Sequence, residues 1–131
     1  MAIYTYVAGY PFAWEIQTMA TLDELAQIDG VVVAFEFAPD GKLLRHKGNA
    51  ATSPEMAALA AQFCAAVTMS FDTVAKAFTK LTNTSWLPQH GWVYSGGDYT
   101  VVIGSKGYKG LFVKTNKADP NQLFQLLSGD L

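Results

Sequence analysis

The run from Ser53 to Thr82, SPEMAALAAQFCAAVTMSFDTVAKAFTKLT, limits what the whole chain can become. Ser53 is a good N-cap, and Pro54 suits the first helical position, where its missing N–H is no loss. Thr52 with Glu55 offers a capping box one residue earlier. After Pro54 no Gly or Pro interrupts the run, and Ala is abundant. One helix of roughly thirty residues and about 45 Å is predicted. Such a rod is longer than a small domain is wide, so each of its faces needs a neighbour or water.

The helix has two apolar faces of different texture. Met56, Leu59, Phe63, Val67, Phe71, Val74, Phe78 and Leu81 recur at steps of three or four, a stripe of large side chains that a sheet is expected to cover. Beside it run Ala57, Ala60, Ala61, Cys64, Ala65, Thr68 and Ala75, all small. That side suits close approach by another backbone, and these seven residues are the expected contact of a homodimer in which two copies of the helix pack together. On this reading Ala61→Glu or Ala65→Arg gives monomers or aggregates. The alternative is that Ala only supports helix propensity on a wet surface. Against it, Gln62, Asp72, Lys76 and Lys80 are the only strongly polar side chains between Met56 and Leu81.

At 131 residues the chain is one domain's worth, half apolar and only 15% charged, which is a globular composition. A net charge of −2 argues against a non-specific nucleic-acid binder, which needs a basic face. The single cysteine, Cys64, excludes an intrachain disulfide and points to a reducing, cytoplasmic compartment. No uninterrupted apolar run reaches eighteen residues, so no membrane span is expected.

Residues 1–18 form an aromatic N-terminal arm, MAIYTYVAGYPFAWEIQT, without Lys or Arg and therefore without the positive start of a secretory signal. Tyr4, Tyr6, Tyr10, Phe12, Trp14 and Ile16 fall on even positions, a period of two that reads as extended chain, with Gly9 and Pro11 breaking any single strand. Met19 resembles a second start. The arm is either a native extension or added residues, and the domain proper is expected over residues 19–131. A free arm of this composition is sticky, so it is expected to lie against the sheet or a partner.

From Met19 onward the elements follow in a simple order. Thr21-Leu22-Asp23-Glu24 is a capping box opening a short helix that ends at Asp29-Gly30. Gly30 to Phe37 is β-branched and aromatic, a buried strand. Pro39-Asp40-Gly41 is a turn, with Pro presetting φ and Gly supplying a positive one, and Lys42 to Lys47 returns as a more polar strand. Gly48-Asn49 leads into the long helix. After it, Asn83 to Gly91 is a connection with Trp86 and Pro88. Three strands follow at Trp92 to Ser95, Tyr99 to Gly104 and Tyr108 to Thr115. Asp119-Pro120 opens a closing helix whose apolar face is Leu123, Phe124, Leu126 and Leu127.

No set of residues makes a convincing centre for chemistry. His46 and His90 lie far apart, Cys64 is alone, and no Cys-x-x-Cys or His-x-x-x-His occurs, so no metal or cofactor is expected. A Cys64–His90 nucleophile pair requires the fold to unite them, yet Cys64 sits mid-helix among Ala and Phe, where a thiol behaves as a small hydrophobe. The Gly104-Ser105-Lys106-Gly107-Tyr108-Lys109-Gly110 stretch sits between strands, not before a helix, and its glycines are explained by a hairpin turn, with Lys106 and Lys109 as a basic tip. Trp86, Trp92 and Tyr94 line a ligand cleft or, more commonly for aromatics near strands, belong to the core.

The order of elements over about Met19 to Leu127 resembles the roadblock / dynein-light-chain type domain, a relative of the profilin-like fold. The pieces that carry the resemblance are TLDELAQIDGVVVAFEFAPDGKLLRHKG, the Ala- and Phe-bearing helix, GWVYSGGDYTVVIG and GLFVKTNKAD, which look like a prokaryotic branch of that group without assigned biochemistry. The resemblance implies an α/β (α+β) fold with a five-stranded antiparallel sheet, in the order helix, two strands, long helix, three strands, helix. It also implies a homodimer with paired long helices and a shared sheet, acting as a non-catalytic scaffold or regulatory platform for a protein partner such as a small GTPase or a metabolic enzyme complex. The family brings no catalytic residues. The alternative from another class is a small-molecule-sensing domain of profilin-like or PAS-like build, which requires an enclosed pocket between sheet and helix.

Overall fold

The computed structural model describes residues 20–48 and 52–128; the aromatic arm, Met19 and the loop at 49–51 lie outside the described residues. The elements run α1 (Leu22–Ala26), β1 (Val31–Phe37), β2 (Leu43–Gly48), α2 (Pro54–Thr82), β3 (Trp92–Ser95), β4 (Tyr99–Gly104), β5 (Lys109–Lys114) and α3 (Pro120–Ser128), with single 3-10 turns at Ser105–Gly107 and Thr115–Lys117. The expected order is the one observed. The five strands form one antiparallel sheet in the order β2-β1-β5-β4-β3. The two hairpins are therefore joined through the central β1–β5 pair, with β2 and β3 at the two rims.

Local chemistry explains the element ends. Thr21 and Glu24 form a reciprocal capping box on α1. The Ser53 hydroxyl accepts from the Met56 N–H, and Pro54 opens α2. Asn83 closes α2 in the left-handed region at φ 58°, a conformation Asn tolerates better than most side chains. In the β1–β2 turn Asp40 accepts from the Lys42 N–H, and Gly41 takes φ 92° while lying against the backbone of Gln62 in α2.

Both sheet faces are covered, but unequally. On one face α1 and α3 seal Ala34, Val102, Leu111 and Val113 beneath Leu22, Leu25, Leu123 and Leu127. On the other, α2 lies on Val33, Phe35, Phe37 and Ile103. Here the structure corrects the expected facing of the helix. Ala57, Ala61, Cys64, Ala65, Thr68 and Ala75 are buried inside this single chain and Ala60 is partly so, whereas Met56, Leu59, Phe63, Phe71, Val74, Phe78 and Leu81 are exposed. The sheet supplies the bulk, with Phe35 stacked on Phe37 at 5.6 Å and edge-on to Phe112 at 5.7 Å. A helix settling on such a surface approaches closely only along small side chains. The small side of α2 therefore lies toward this chain's own sheet, and the large stripe is the side it leaves outward.

α2 also runs past the sheet. Near its start, Thr52 reaches the Val32 carbonyl at one end of β1; at Thr68 it has reached the Gly107 turn and the first residue of β3, at the opposite end. The following turns overhang the sheet and are met by the returning segment 83–91. Trp86 donates its backbone N–H to Thr79 and its indole N–H to Thr82, and packs edge-on against Phe78 at 5.0 Å. Gln89 bonds the Thr68 carbonyl and the Asp72 carboxylate.

Candidate functional site

α2 crosses the sheet over β1 and β2 and leaves the β4–β3 half of that face without a helix. At 100° per residue the large stripe lies about 100° round the axis from the buried side, so it looks sideways across the bare half. The result is a trough of ≈ 380 Å³ with Phe63, Val67 and Phe71 as its wall and Tyr94, Val101 and Phe112 as its floor. Phe63 is 64% exposed and Tyr94 66%. Aromatic and aliphatic side chains held this far out of a core are an unfinished hydrophobic surface.

The trough ends at a sheet rim. Gly96 N–H bonds the Tyr99 carbonyl, and β3 pairs Trp92 with Ile103 and Tyr94 with Val101. In the alternation of an antiparallel ladder, Val93 and Ser95 then turn their N–H and C=O groups outward, away from β4. The opposite rim differs. On β2, Arg45 pairs with Glu36 and Lys47 with Asp23, both basic side chains being well exposed.

A second depression, a groove of ≈ 610 Å³, lies beside the overhanging turns of α2, lined by Phe71, Val74, Phe78, Trp86, Leu87 and Trp92 among others. Trp86 and Tyr94 are therefore exposed rather than core residues, whereas Trp92 packs partly buried against the α2-side core. Trp92 is half-buried between the two depressions, Trp86 belongs to the groove and Tyr94 to the trough.

The other candidate residues do not assemble. Cys64 is buried beneath the trough wall, and burial pushes its thiol up to about 12, the reverse of an activated nucleophile. His90 is exposed in the return segment, and His46 is half-buried on β2. Among the described residues no group of three or more His, Cys, Asp or Glu side chains comes together. Lys109 is not part of a basic tip. It is buried on β5, donates to the Ala20 carbonyl at 2.8 Å and faces Glu36 at 3.7 Å, and desolvation, opposed by Glu36, lowers its pKa from the ordinary value. Lys106 alone of the pair is exposed, in the left-handed region at φ 63°.

Two features escape a reading of residues in line. The return segment's anchors, Thr79, Thr82 and Gln89, carry no motif, and the buried Gln89 Oε1 has no hydrogen-bond partner among the described residues. By length and composition α2 is also long and apolar enough to cross a membrane, despite lacking an unbroken apolar run. In this structure its small-residue side lies on the chain's own sheet.

A profile of the family described as uncharacterized conserved protein (DUF2173) matches residues 21–129. No curated protein matches the sequence. Among solved structures, the Roadblock/LC7 domain from Streptomyces avermitilis superposes with a TM-score of 0.66 at 13% identity, covering 81% of this chain and 84% of that one. Myxococcus xanthus MglB superposes with a TM-score of 0.55 at 16% identity, covering 80% of each chain. At these identities the likeness establishes a shared fold.

Proposed function

This chain belongs to the DUF2173 family of uncharacterized conserved proteins and is built as a roadblock-type domain, and from that premise we propose that it is a non-catalytic regulatory or scaffolding module that works as a homodimer. The observation that carries this reading is the half-roofed sheet. The trough is long, apolar and bordered by the outward-turned backbone of β3, so a second copy related by a two-fold axis can seat its own α2 beside the first while the two β3 rims meet. A helix of 29 residues offers enough length for such a contact to reach the ~800 Å² per partner of a standard interface.

The interface in this reading is made by the large stripe, with Met56, Leu59, Phe63 and Val67 against the partner copy. The paired helices and joined sheet then present one composite surface to a protein partner, a small GTPase or a metabolic enzyme complex, in the cytoplasm. A small-molecule sensor is less well supported, because the trough and the groove are open to the surface and not enclosed between sheet and helix.

Light scattering on purified protein tests the dimer. The parent is expected at twice the chain mass and Phe63→Glu at the chain mass, with an unchanged far-UV spectrum. A parent that is monomeric at micromolar concentration overturns the reading, as does a Phe63→Glu variant that stays dimeric.

A further inference from the structure

Lys76 and Lys106 line the same cleft from separate elements, one on α2 and the other on the turn between β4 and β5. Asp72, Leu87, Pro88 and Gln89 complete its lining, and its volume is ≈ 440 Å³. At 100° per residue Asp72 lies about 180° round the α2 axis from Phe63, so this cleft is on the far side of the helix from the trough.

Neither cation is neutralised by a neighbour. Among the described residues the ion pairs fall on Arg45, Lys47, Lys109 and Lys117, and none on Lys76 or Lys106. Asp72 stands one helical turn before Lys76, the spacing at which such residues commonly pair. It is held instead by the Gln89 Nε2, which donates to its Oδ1 at 2.8 Å and to the Thr68 carbonyl at 2.9 Å. The cleft therefore sets two cations against one hydrogen-bonded carboxylate, in a chain whose net charge is −2.

The walls are also fixed relative to one another. Thr68, Asp72 and Lys76 follow at steps of four along α2. Thr68 ties down both opposing walls, its hydroxyl donating to the Gly107 carbonyl and its own carbonyl accepting from Gln89. Ser105, Lys106 and Gly107 succeed one another at φ 53°, 63° and 101°. Gly or Asn adopts such backbone most easily, so a lysine there is accounted for by its ammonium group and not by its conformation.

We propose that this cleft binds the phosphate monoester of a small molecule, with Lys76 and Lys106 on the phosphate oxygens and a compact apolar part against Leu87 and Pro88. A dianion matches two ammonium groups on separate walls, and lysine serves phosphate as a point charge. The volume falls within the ~300–1,000 Å³ range of small-molecule sites. Recognition by charge does not require the enclosure that an apolar ligand needs. The site goes beyond the platform reading by giving the module a ligand input, and it is independent of dimerisation.

NMR titration of the ¹⁵N-labelled full chain with phenyl phosphate tests it, with inorganic phosphate alongside. Amide shifts are expected at residues 72–76, at Leu87 and Gln89, and at residues 105–107, and inorganic phosphate is expected to bind more weakly because it leaves the apolar wall bare. Lys76→Gln and Lys106→Gln should each weaken phenyl phosphate about tenfold, the loss of one charge-assisted contact. Lys80→Gln, outside the cleft, should change nothing, and Asp72→Asn, which keeps an acceptor for Gln89, should tighten binding. Shifts that are absent at millimolar ligand or centred elsewhere overturn the proposal. So does equal weakening by Lys80→Gln, which marks a diffuse basic surface, and so does binding to phosphatidate vesicles with none to free phenyl phosphate. The light-scattering result on Phe63→Glu moves independently of all of these.

Discussion

The Trp92 indole N–H donates to the Thr68 hydroxyl at 2.9 Å, and that hydroxyl donates in turn to the Gly107 carbonyl at 2.8 Å. Thr68 is fully buried, so one hydroxyl joins α2, the first residue of β3 and the turn between β4 and β5. The joint is tight: a Cβ on Gly107, already at φ 101°, would stand 2.4 Å from the Thr68 methyl.

Thr68→Val keeps the shape and removes the hydroxyl, leaving the indole N–H and the Gly107 carbonyl unpaired. A loss of about 1–3 kcal/mol is expected from urea denaturation. Thr68→Ser should recover part of it. Trp92→Phe should cost less in the Thr68→Val background than in the parent, because the indole has already lost its acceptor.

Two positions two residues apart test the facing of α2. Ala61 is fully buried on the sheet and Phe63 is largely exposed. Ala61→Glu places an unpaired carboxylate in the core and should destabilise by several kcal/mol, with loss of the cooperative transition. Phe63→Glu should leave the single-chain fold standing. If Ala61→Glu gives a well-folded monomer instead, the small side of the helix is not inside this chain.

Lys109 makes stability depend on alkaline pH. Its pKa is lowered from 10.5 chiefly by desolvation, so between the lowered value and 10.5 the unfolded chain binds more protons than the folded one. Stability then rises with pH across that window and is flat below it. Measured against Lys109→Met, the urea midpoint of the parent should gain as pH climbs toward 10.5. A relative loss over that range would reverse the assigned sign.

Cys64 should be nearly inert to alkylation in the native protein. Raising its pKa from 9.0 to about 12 lowers the thiolate fraction about a thousandfold at neutral pH, and burial adds a steric barrier. Iodoacetamide labelling followed by mass spectrometry should be slow until urea opens the chain. Rapid native labelling would place Cys64 outside the core.

Much of the fold was legible because local and global preferences agree. The cap at Ser53, the turn at Pro39-Asp40-Gly41, the β-branched run of β1 and the Asp119-Pro120 start of α3 each carry a local cause, and all stand where expected. The facing of α2 was not legible. Periodicity separates the large stripe from the small side but says nothing about which neighbour supplies the bulk, and Phe35, Phe37 and Ile103 already fill that role. Lys109 misled for a similar reason: a lysine next to a glycine turn looks solvated until the Ala20 carbonyl and Glu36 are brought to it from distant parts of the chain. The return of segment 83–91 along α2 rests on side-chain hydroxyls of Thr79 and Thr82, which are chemically ordinary.

The two rims of the sheet differ in what they present. β2 carries the exposed, ion-paired cations Arg45 and Lys47 on the face that α1 covers, while β3 turns the backbone groups of Val93 and Ser95 away from β4. A strand contact at β3 would use the outward-turned backbone of Val93 and Ser95. In the proposed dimer, β3 rims that meet about a two-fold axis close that contact on itself and leave no open strand edge there.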